Sequence, residues 1–293
     1  MSYLQLGASL YVPATRGDLV EIANRRRFPD LRSVIFCTED AIARADVQQA
    51  IANLRELLVR LEPAAVRRFI RVRNPEVLSV LLEAEGIDRL DGFVLPKVTR
   101  RNLSDYLRCI PEHSSHWLMP TLETADVFEP DEMRALRDLL LKEPVRSRVI
   151  CLRIGGNDLL QVLGLRRPPG RTIYETPLGP VMAQLVTTFR PHGLSLTAPV
   201  FDRLDDIETL ASEVRMDVEF GLLGKTAVHP RQIPLIESQY RVAEIDWESA
   251  KRILHTDAPA VFRHNDAMCE PATHSRWAGV ICQRAEIYGV NRS

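Results

Sequence analysis

The feature that most constrains the fold is a repeated alternation of short apolar runs with helix-like stretches. Eight such runs follow one another along the 293 residues, and most are continuously apolar. Continuous apolar runs are typical of parallel strands that are covered on both faces. The runs occupy residues 6–12, 33–38, 68–73, 92–96, 116–122, 148–154, 194–199 and 222–228.

Amphipathic helical patterns lie between the apolar runs. Residues 45–61 and 131–142 each place leucines and other apolar residues on one stripe at helical spacing. Strand–helix alternation repeated eight times predicts an α/β protein with a (β/α)8 TIM barrel, and a doubly wound open sheet is the alternative. A barrel of this kind takes roughly 250 residues, so residues 1–240 are expected to form it.

Residues 241–293 exceed the barrel and predict a C-terminal helical extension. Their pattern indicates a helix near 246–255, a loop through 265–273 and a final helix near 274–288. The apolar residues of that final helix need a partner surface. We therefore expect the extension to pack on its own barrel or on a neighbouring subunit.

Composition excludes several classes of protein. The formal net charge of −1 gives no overall attraction to nucleic acid. Five widely spaced cysteines without a CxxC pair argue against a disulfide framework or a zinc site and fit a reducing compartment. No apolar stretch approaches the roughly 18 residues that span a bilayer. These observations predict a cytoplasmic protein whose partner is a small molecule, with neither nucleic acid nor membrane.

Acidic residues follow two neighbouring strand candidates. The fifth run ends at Glu123, and the sixth breaks at Gly155-Gly156 and places Asp158 where a helix begins. The carboxyl ends of barrel strands carry the chemistry of TIM-barrel enzymes, and two carboxylates there suit Mg2+. The alternative is that each residue only caps the helix that follows it.

Further charged residues end the neighbouring strands. Glu39 and Asp40 follow the second run, where they either start a helix or form a cluster with Lys97, which ends the fourth run. Such a cluster would relay protons or hold loops in place. Arg71 and Arg73 share a face at the end of the third run, which points either into the barrel or toward its helices. An arginine inside a barrel mouth needs an anion, and the carboxylate of a substrate would serve.

Two other residues, Arg16 and His229, have two readings each. Arg16, after the first strand, is a candidate for binding a phosphate or carboxylate, or else a surface arginine. His229, at the end of the eighth strand, either contacts substrate or shapes a turn. The segment 166–180 is predicted to be a long loop over the barrel mouth, and Cys37 and Cys151 are read as buried packing residues.

The ordered motifs resemble a known family. These motifs are Leu10-Tyr11-Val12-Pro13, Glu39-Asp40-Ala41, Arg71-Val72, Val94-Leu95-Pro96-Lys97-Val98, Leu122-Glu123-Thr124, Asn157-Asp158-Leu159 and residues 224–232. They are similar, over nearly the whole chain, to the HpcH/HpaI aldolase and citrate lyase β-subunit family. Residues 6–15 and 268–271 resemble, more narrowly, its branch associated with tellurite-resistance gene clusters.

This resemblance implies a carbon–carbon lyase. It implies Mg2+ on Glu123 and Asp158, and Arg71 gripping a 2-oxo acid or acyl carboxylate. It further implies chemistry through an enolate, often on a coenzyme A thioester, in trimeric or larger homo-oligomers. Glu270 corresponds to an acid that the family supplies from its tail. The family's residue is an aspartate, and the side chain of Glu270 is longer by one methylene.

Departures from the family pattern keep other functions open. Cys37 stands where the family usually has an aspartate, and Ala14-Thr15 replace a glycine-bearing loop, which puts coenzyme A phosphate binding in doubt. The leading hypothesis is a Mg2+-dependent lyase. The alternatives are a non-catalytic barrel that binds small acids or forms complexes, and a condensing synthase of the malate-synthase kind.

Overall fold

The computed structural model describes residues 2–291 and contains two compact units, which divide after Ile233. The first unit is a barrel of eight parallel strands. Their bounds are β1 (Ala8–Pro13), β2 (Ser33–Cys37), β3 (Arg67–Arg71), β4 (Gly92–Leu95), β5 (Trp117–Leu122), β6 (Leu152–Ile154), β7 (Leu196–Thr197) and β8 (Lys225–Ala227).

The strands form a ring. Each pairs with its sequence neighbour, and β1 also pairs with β8, so the order runs from β7 through β1 to β8. A parallel bridge between Ala198 and Lys225 joins the two remaining ends, after β7 and at β8. This closure confirms the predicted (β/α)8 barrel and excludes the open sheet.

Helices follow the strands as predicted. They are α1 (Leu19–Ala23), α2 (Val47–Val59), α3 (Pro75–Leu82), α4 (Leu103–Cys109), α5 (Pro130–Leu140), α6 (Val145–Arg148), α7 (Gly156–Val162), α8 (Leu178–Phe189), α9 (Ile207–Glu219) and α10 (Gln232–Ser238). Helix α3 shows a local cause: the Asn74 side chain accepts a 2.9 Å hydrogen bond from Val77 N, and Pro75 occupies the first turn.

Two segments differ from their predicted form. The strand predicted over 148–154 contains only Leu152–Ile154, and before it Val149 makes an isolated bridge to Leu118. The short helix α6, which ends at Arg148, is an additional element that lengthens the interval between Glu123 and Asp158. The segment 166–180 is not a loop throughout, because a 3-10 turn forms at Ile173–Glu175 and α8 begins at Leu178. A reciprocal capping box between Thr172 and Glu175 holds that turn.

The barrel interior is apolar at one level and polar at the next. The lower level is an apolar cluster that includes Ile35, Phe69, Met119 and Cys151. Side chains on a strand return to the same face every two residues, so the next inward positions are Cys37, Arg71, Thr121 and Arg153. The alternation therefore delivers two arginines to the interior just above the core.

The second unit begins at Pro234 and has its own core. After α10 it contains β9 (Val242–Ala243), α11 (Glu244–Ile253), β10 (Phe262–His264), β11 (Ala267–Cys269), α12 (Pro271–Tyr288) and β12 (Val290–Asn291). Its buried cluster consists of Val242, Ala250, Ile253, Cys269, Ala278 and Ile281. The predicted loop 265–273 instead contains one strand of the β10–β11 hairpin and the first turn of α12.

Among residues 2–291, no helix is both long enough and apolar enough to span a bilayer.

Candidate active site

A cavity of about 340 Å3 opens at the carboxyl ends of the barrel strands. Its lining combines acidic, basic and hydroxyl side chains from at least six strands or the turns after them. Those used below are Tyr11, Arg71, Glu123, Arg153, Asp158 and Thr226. This is the end of a TIM barrel at which enzymes of this fold place their chemistry.

Glu123 is the most confined acid of the cavity. Its side chain follows β5 and is fully buried. Oε1 accepts hydrogen bonds from the backbone N of Lys97 at 2.8 Å and from Nη2 of Arg71 at 3.0 Å. Oε2 is also buried, and no group in residues 2–291 donates to it. Burial, with a further contribution from Asp158, raises the pKa of Glu123 to about 7.

Gly155 explains how Glu123 fits. A Cβ atom at position 155 would lie 2.4 Å from both Cβ and Oε2 of Glu123. Any larger residue would therefore displace the carboxylate. The glycine pair that breaks the sixth strand thus makes room for the acid at the end of the fifth.

Arg71 connects three carboxylates. Its Nη2 atom lies 2.7 Å from Glu39 Oε2, 3.2 Å from Asp40 Oδ2 and 3.0 Å from Glu123 Oε1. Nε is buried without a partner, and no described residue accepts a hydrogen bond from Nη1. An arginine carries five N–H donors, so Arg71 retains donors for an anionic ligand.

Lys97 completes this network from the turn after β4. Its Nζ lies 2.5 Å from Glu39 Oε1, 3.0 Å from Asp40 Oδ2 and 3.5 Å from Asp158 Oδ1. Its backbone has a φ of 51°, which is unfavourable for a residue with a side chain. That conformation aims its N–H at Glu123, while Asn102 Nδ2 donates to its carbonyl at 2.9 Å.

The two acids of the second strand differ in their electrostatics. Burial and the hydrogen bond with Asp40 raise the pKa of Glu39. Asp40 is more exposed, and hydrogen bonds with Glu39 and Lys97 outweigh its burial and lower its pKa. The sequence prediction that Glu39, Asp40 and Lys97 form one cluster matches these contacts.

The donor set fits a hard divalent cation. Glu123 has one buried oxygen without a partner, and Asp158, in the first turn of α7, lines the same cavity. Within residues 2–291, no group of three or more His, Cys, Asp or Glu side chains is arranged to hold a metal. Mg2+ is usually bound by one or two protein carboxylates, while water and substrate supply the remaining oxygens.

Arg16 and His229 lie elsewhere. They line a separate cavity of about 170 Å3, which shares only Tyr11 and Val228 with the larger one. Arg16 forms a bidentate pair with Asp18, both contacts being 2.7 Å. Glu270 belongs to the second unit, where its carboxylate accepts a hydrogen bond from Thr273.

Sequence reasoning did not select Tyr11, Arg153 or Thr226 as site residues, although all three line the larger cavity. Arg153 is 2% exposed, and its Nη2 donates to Thr226 Oγ1 at 2.6 Å. Its guanidinium carbon lies 5.5 Å from the centre of the Tyr11 ring. Arg153 is the only charged residue in the run 149–154, and its position two residues after buried Cys151 was the available signal.

A second buried ionic cluster was also missed. Lys225 Nζ lies 2.8 Å from both Glu213 and Asp217, and Arg167 pairs with the other oxygen of Glu213. All four side chains are fully buried. Helical spacing of the two acids on α9 was the only sequence signal. Lys225 follows Asp217 by 8 residues and Glu213 by 12, but Arg167 lies 46 residues before Glu213.

Comparison with known proteins agrees with this geometry. Residues 1–290 match the family described as carbon–carbon bond lyases of the TIM-barrel fold. The chain belongs to this family. A (3S)-malyl-CoA thioesterase of Cereibacter sphaeroides is 26% identical over 246 residues, which covers 83% of this chain and 80% of that protein. An L-malyl-CoA/β-methylmalyl-CoA lyase of the same species is 23% identical and covers 74% of each.

Solved structures share the fold. A citrate lyase from Burkholderia xenovorans gives a TM-score of 0.76 at 17% identity, covering 98% of this chain and 94% of that one. CitE from Mycobacterium tuberculosis, in complex with magnesium, acetoacetate and coenzyme A, gives 0.71 at 20% identity, covering 97% and 99%. Family membership confirms the predicted resemblance and the predicted class of enzyme, a carbon–carbon lyase.

Proposed function

We propose that this lyase is Mg2+-dependent and cleaves or forms a carbon–carbon bond in a 2-oxo acid or a hydroxyacyl thioester, through an enolate. The observation that carries the proposal is the buried, unpartnered Oε2 of Glu123 in the cavity that Asp158 also lines. A cation held by these two residues would act as a Lewis acid that stabilises developing negative charge.

The remaining residues are proposed to bind substrate and to move a proton. The N–H groups of Arg71 that have no protein partner would bind the substrate carboxylate. The contacts of Nη2 with Glu39 and Glu123 would hold the guanidinium in position for this. Glu39, Asp40 and Lys97 form a continuous set of hydrogen bonds that can hold or transfer the proton removed from a substrate hydroxyl. Glu270 from the tail of a neighbouring subunit is proposed as a further acid.

Coenzyme A thioesters are the proposed acyl carriers. The malyl-CoA relatives and the coenzyme A complex of CitE support this choice. Arg16 and His229, in their separate cavity beside β1 and β8, are proposed to contact an extended portion of the same substrate. Their cavity adjoins the main one through Tyr11 and Val228.

One observation favours the non-catalytic alternative. Cys37 lines the cavity at the position for which the family resemblance implies an aspartate, and burial raises the pKa of its thiol. A neutral thiol cannot replace a carboxylate in acid–base chemistry. A barrel of this kind would bind small acids through Arg71 without converting them.

The decisive experiment separates metal binding from turnover. Asp158→Asn should weaken Mg2+ binding at least tenfold in calorimetry while leaving the barrel folded, and the exposed Asp138→Asn serves as the control. Turnover is assayed as Mg2+-dependent release of pyruvate, oxaloacetate or acetyl-CoA, in both directions. Unchanged Mg2+ affinity in Asp158→Asn removes the metal site, whereas Arg71-dependent acid binding without turnover supports the non-catalytic alternative.

A further inference from the structure

Arg153 differs from Arg167 and Lys225, the two other basic residues of the barrel that are almost completely buried. The charges of Arg167 and Lys225 meet carboxylates at hydrogen-bond distance. Within residues 2–291, Arg153 forms no ion pair: its partners are a hydroxyl, a thioether and the face of an aromatic ring. A buried charge without a counter-charge is costly, so the barrel maintains this arginine at the expense of stability.

The position of Arg153 defines where a counter-ion would bind. It lines the 340 Å3 cavity together with Glu123 and Asp158, and it is held on two sides. Thr226 Oγ1 accepts from Nη2 at 2.6 Å, and the Tyr11 ring lies 5.5 Å from the guanidinium carbon. Nη1 has only the sulfur of Met119, at 3.9 Å. The guanidinium is therefore fixed in orientation and has donors left for a ligand.

The charge of the cavity supports an anionic ligand. Four carboxylates (Glu39, Asp40, Glu123 and Asp158) and three basic side chains (Arg71, Lys97 and Arg153) line the cavity or contact its lining, and with all of them ionised their net charge is minus one. A divalent cation changes this balance to plus one. The first three carboxylates contact Arg71 directly, and Asp158 lies near Lys97, so the excess positive charge resides at Arg153.

We infer that Arg153 is a specificity-determining residue that binds a second anionic group of the substrate, a carboxylate, deep in the barrel. This inference rests on the proposed function, because it takes the cavity to be the substrate site. The substrate then carries one acid group near Glu123 and Arg71 and another beside Thr226. Monocarboxylic analogues of the same length would leave Arg153 without its counter-ion.

The test compares two four-carbon acids that differ at one group. Malate carries a carboxylate where 2-hydroxybutyrate carries a methyl group, and both retain the hydroxy acid that a metal can bind. Calorimetry in saturating Mg2+ should show malate binding to the wild type about ten- to a hundredfold more tightly, the range expected for a hydrogen-bonded charge pair. In Arg153→Met that preference should disappear, with 2-hydroxybutyrate affinity unchanged.

Two controls separate binding from folding. Arg153→Met should keep or raise the thermal midpoint, because it removes an uncompensated buried charge, whereas a purely structural arginine would lower it. Arg153→Lys keeps the charge, loses the planar fork and should show an intermediate preference for malate. The exposed Arg134→Met should match the wild type in every measurement.

Failure of the inference about Arg153 can be distinguished from failure of the proposed lyase function. The inference is overturned if Arg153→Met still prefers malate over 2-hydroxybutyrate, or if the wild type shows no such preference. Either result does so even if lyase turnover is found. An Arg153-dependent malate preference in a protein that turns over no substrate supports the inference and contradicts the lyase. Mg2+ affinity measured without acid should be equal in the wild type and in all three variants.

Discussion

Glu123 and Gly155 are matched to each other. The carboxylate occupies the space that a side chain at position 155 would take, with a hypothetical Cβ only 2.4 Å from Oε2. Gly155 has a φ of −90°, which alanine adopts readily. The requirement for glycine here is therefore contact with Glu123, and backbone strain plays no part.

Gly155→Ala should consequently weaken Mg2+ binding by roughly ten- to a hundredfold, the loss that follows when the support of a metal ligand is disturbed. Calorimetry on the variant measures this, with circular dichroism to show that the barrel remains folded. Gly17→Ala is the matched control, because nothing lies within 4 Å of its Cβ position. Equal affinity in both variants would show that Glu123 is not a ligand.

Arg71 illustrates a limit of charge-conserving substitution. Its Nη2 contacts Glu39, Asp40 and Glu123 while its other nitrogens are available for substrate. A lysine ammonium is a point charge and cannot span those directions. Arg71→Lys should lower kcat/KM about tens- to a hundredfold, corresponding to roughly 2–3 kcal/mol. A steady-state assay in which kcat/KM stays within threefold would contradict a role for the planar group.

The sequence predicted this acid–base cluster but missed Arg153. Glu39, Arg71, Lys97 and Glu123 each end a strand, so their convergence follows from the barrel topology alone. Arg153 lies within an apolar strand, and the apolar pattern alone does not show which alternate residues of that strand face the barrel interior. Cys151 had been read as packing, which is correct, and counting two residues from it gives the inward position.

The segment that precedes α8 is anchored by the buried ionic cluster. Glu213 accepts hydrogen bonds from the Ile173 backbone N at 2.6 Å and from Arg167, and Asp217 accepts one from Tyr174 at 2.7 Å. Ile173 in turn lies 3.8 Å from the Cβ position of Gly156, near the metal candidate Asp158. Helix α9 therefore supports the turn that carries this acid.

Lys225→Met should destabilise the barrel by about 3–5 kcal/mol at neutral pH, because it leaves buried acids without their cation. The unfolding free energy that Lys225→Met removes should be smaller at acidic pH. Burial raises the pKa of Asp217 from 3.8 to about 6, so the folded state binds a proton before the unfolded chain does. The contribution of this group to the free energy of unfolding therefore rises as pH falls from about 6 to 3.8.

Chemical denaturation at pH 7 and pH 5 measures this effect. The difference in unfolding free energy between the wild type and Lys225→Met should be smaller at pH 5. The exposed Lys142→Met provides the control and should match the wild type at both values. A difference that is constant or larger at pH 5 would show that Asp217 does not take up the proton.

Element types were easier to predict than their ends. All eight strands were located because continuous apolar runs mark buried parallel strands. The strand predicted for the sixth run is too long, because residues 149–151 are apolar and buried like strand residues although the strand itself contains only Leu152–Ile154. The β10–β11 hairpin escaped prediction because its residues are largely exposed and show no apolar alternation.

The second unit leaves apolar side chains exposed although it has its own core. Helix α12 buries Ala278 and Ile281, but Trp277 remains 42% exposed, and Met268 remains 61% exposed. The predicted apolar face of the final helix is thus only partly used within its unit. We propose that the exposed portion contacts a neighbouring subunit in a homo-oligomer, the assembly that the family resemblance implied.

A point substitution tests this assembly better than truncation. Deleting residues 262–293 would also remove core residues of the second unit, so loss of assembly could reflect unfolding. Trp277→Ser changes an exposed side chain and should leave the thermal midpoint within a few degrees. Light scattering should then show a smaller assembly. If Glu270 acts across the same interface, Mg2+-dependent acid binding should weaken in parallel, and the exposed Arg276→Ser provides the control. An unchanged assembly size in Trp277→Ser would place the interface elsewhere.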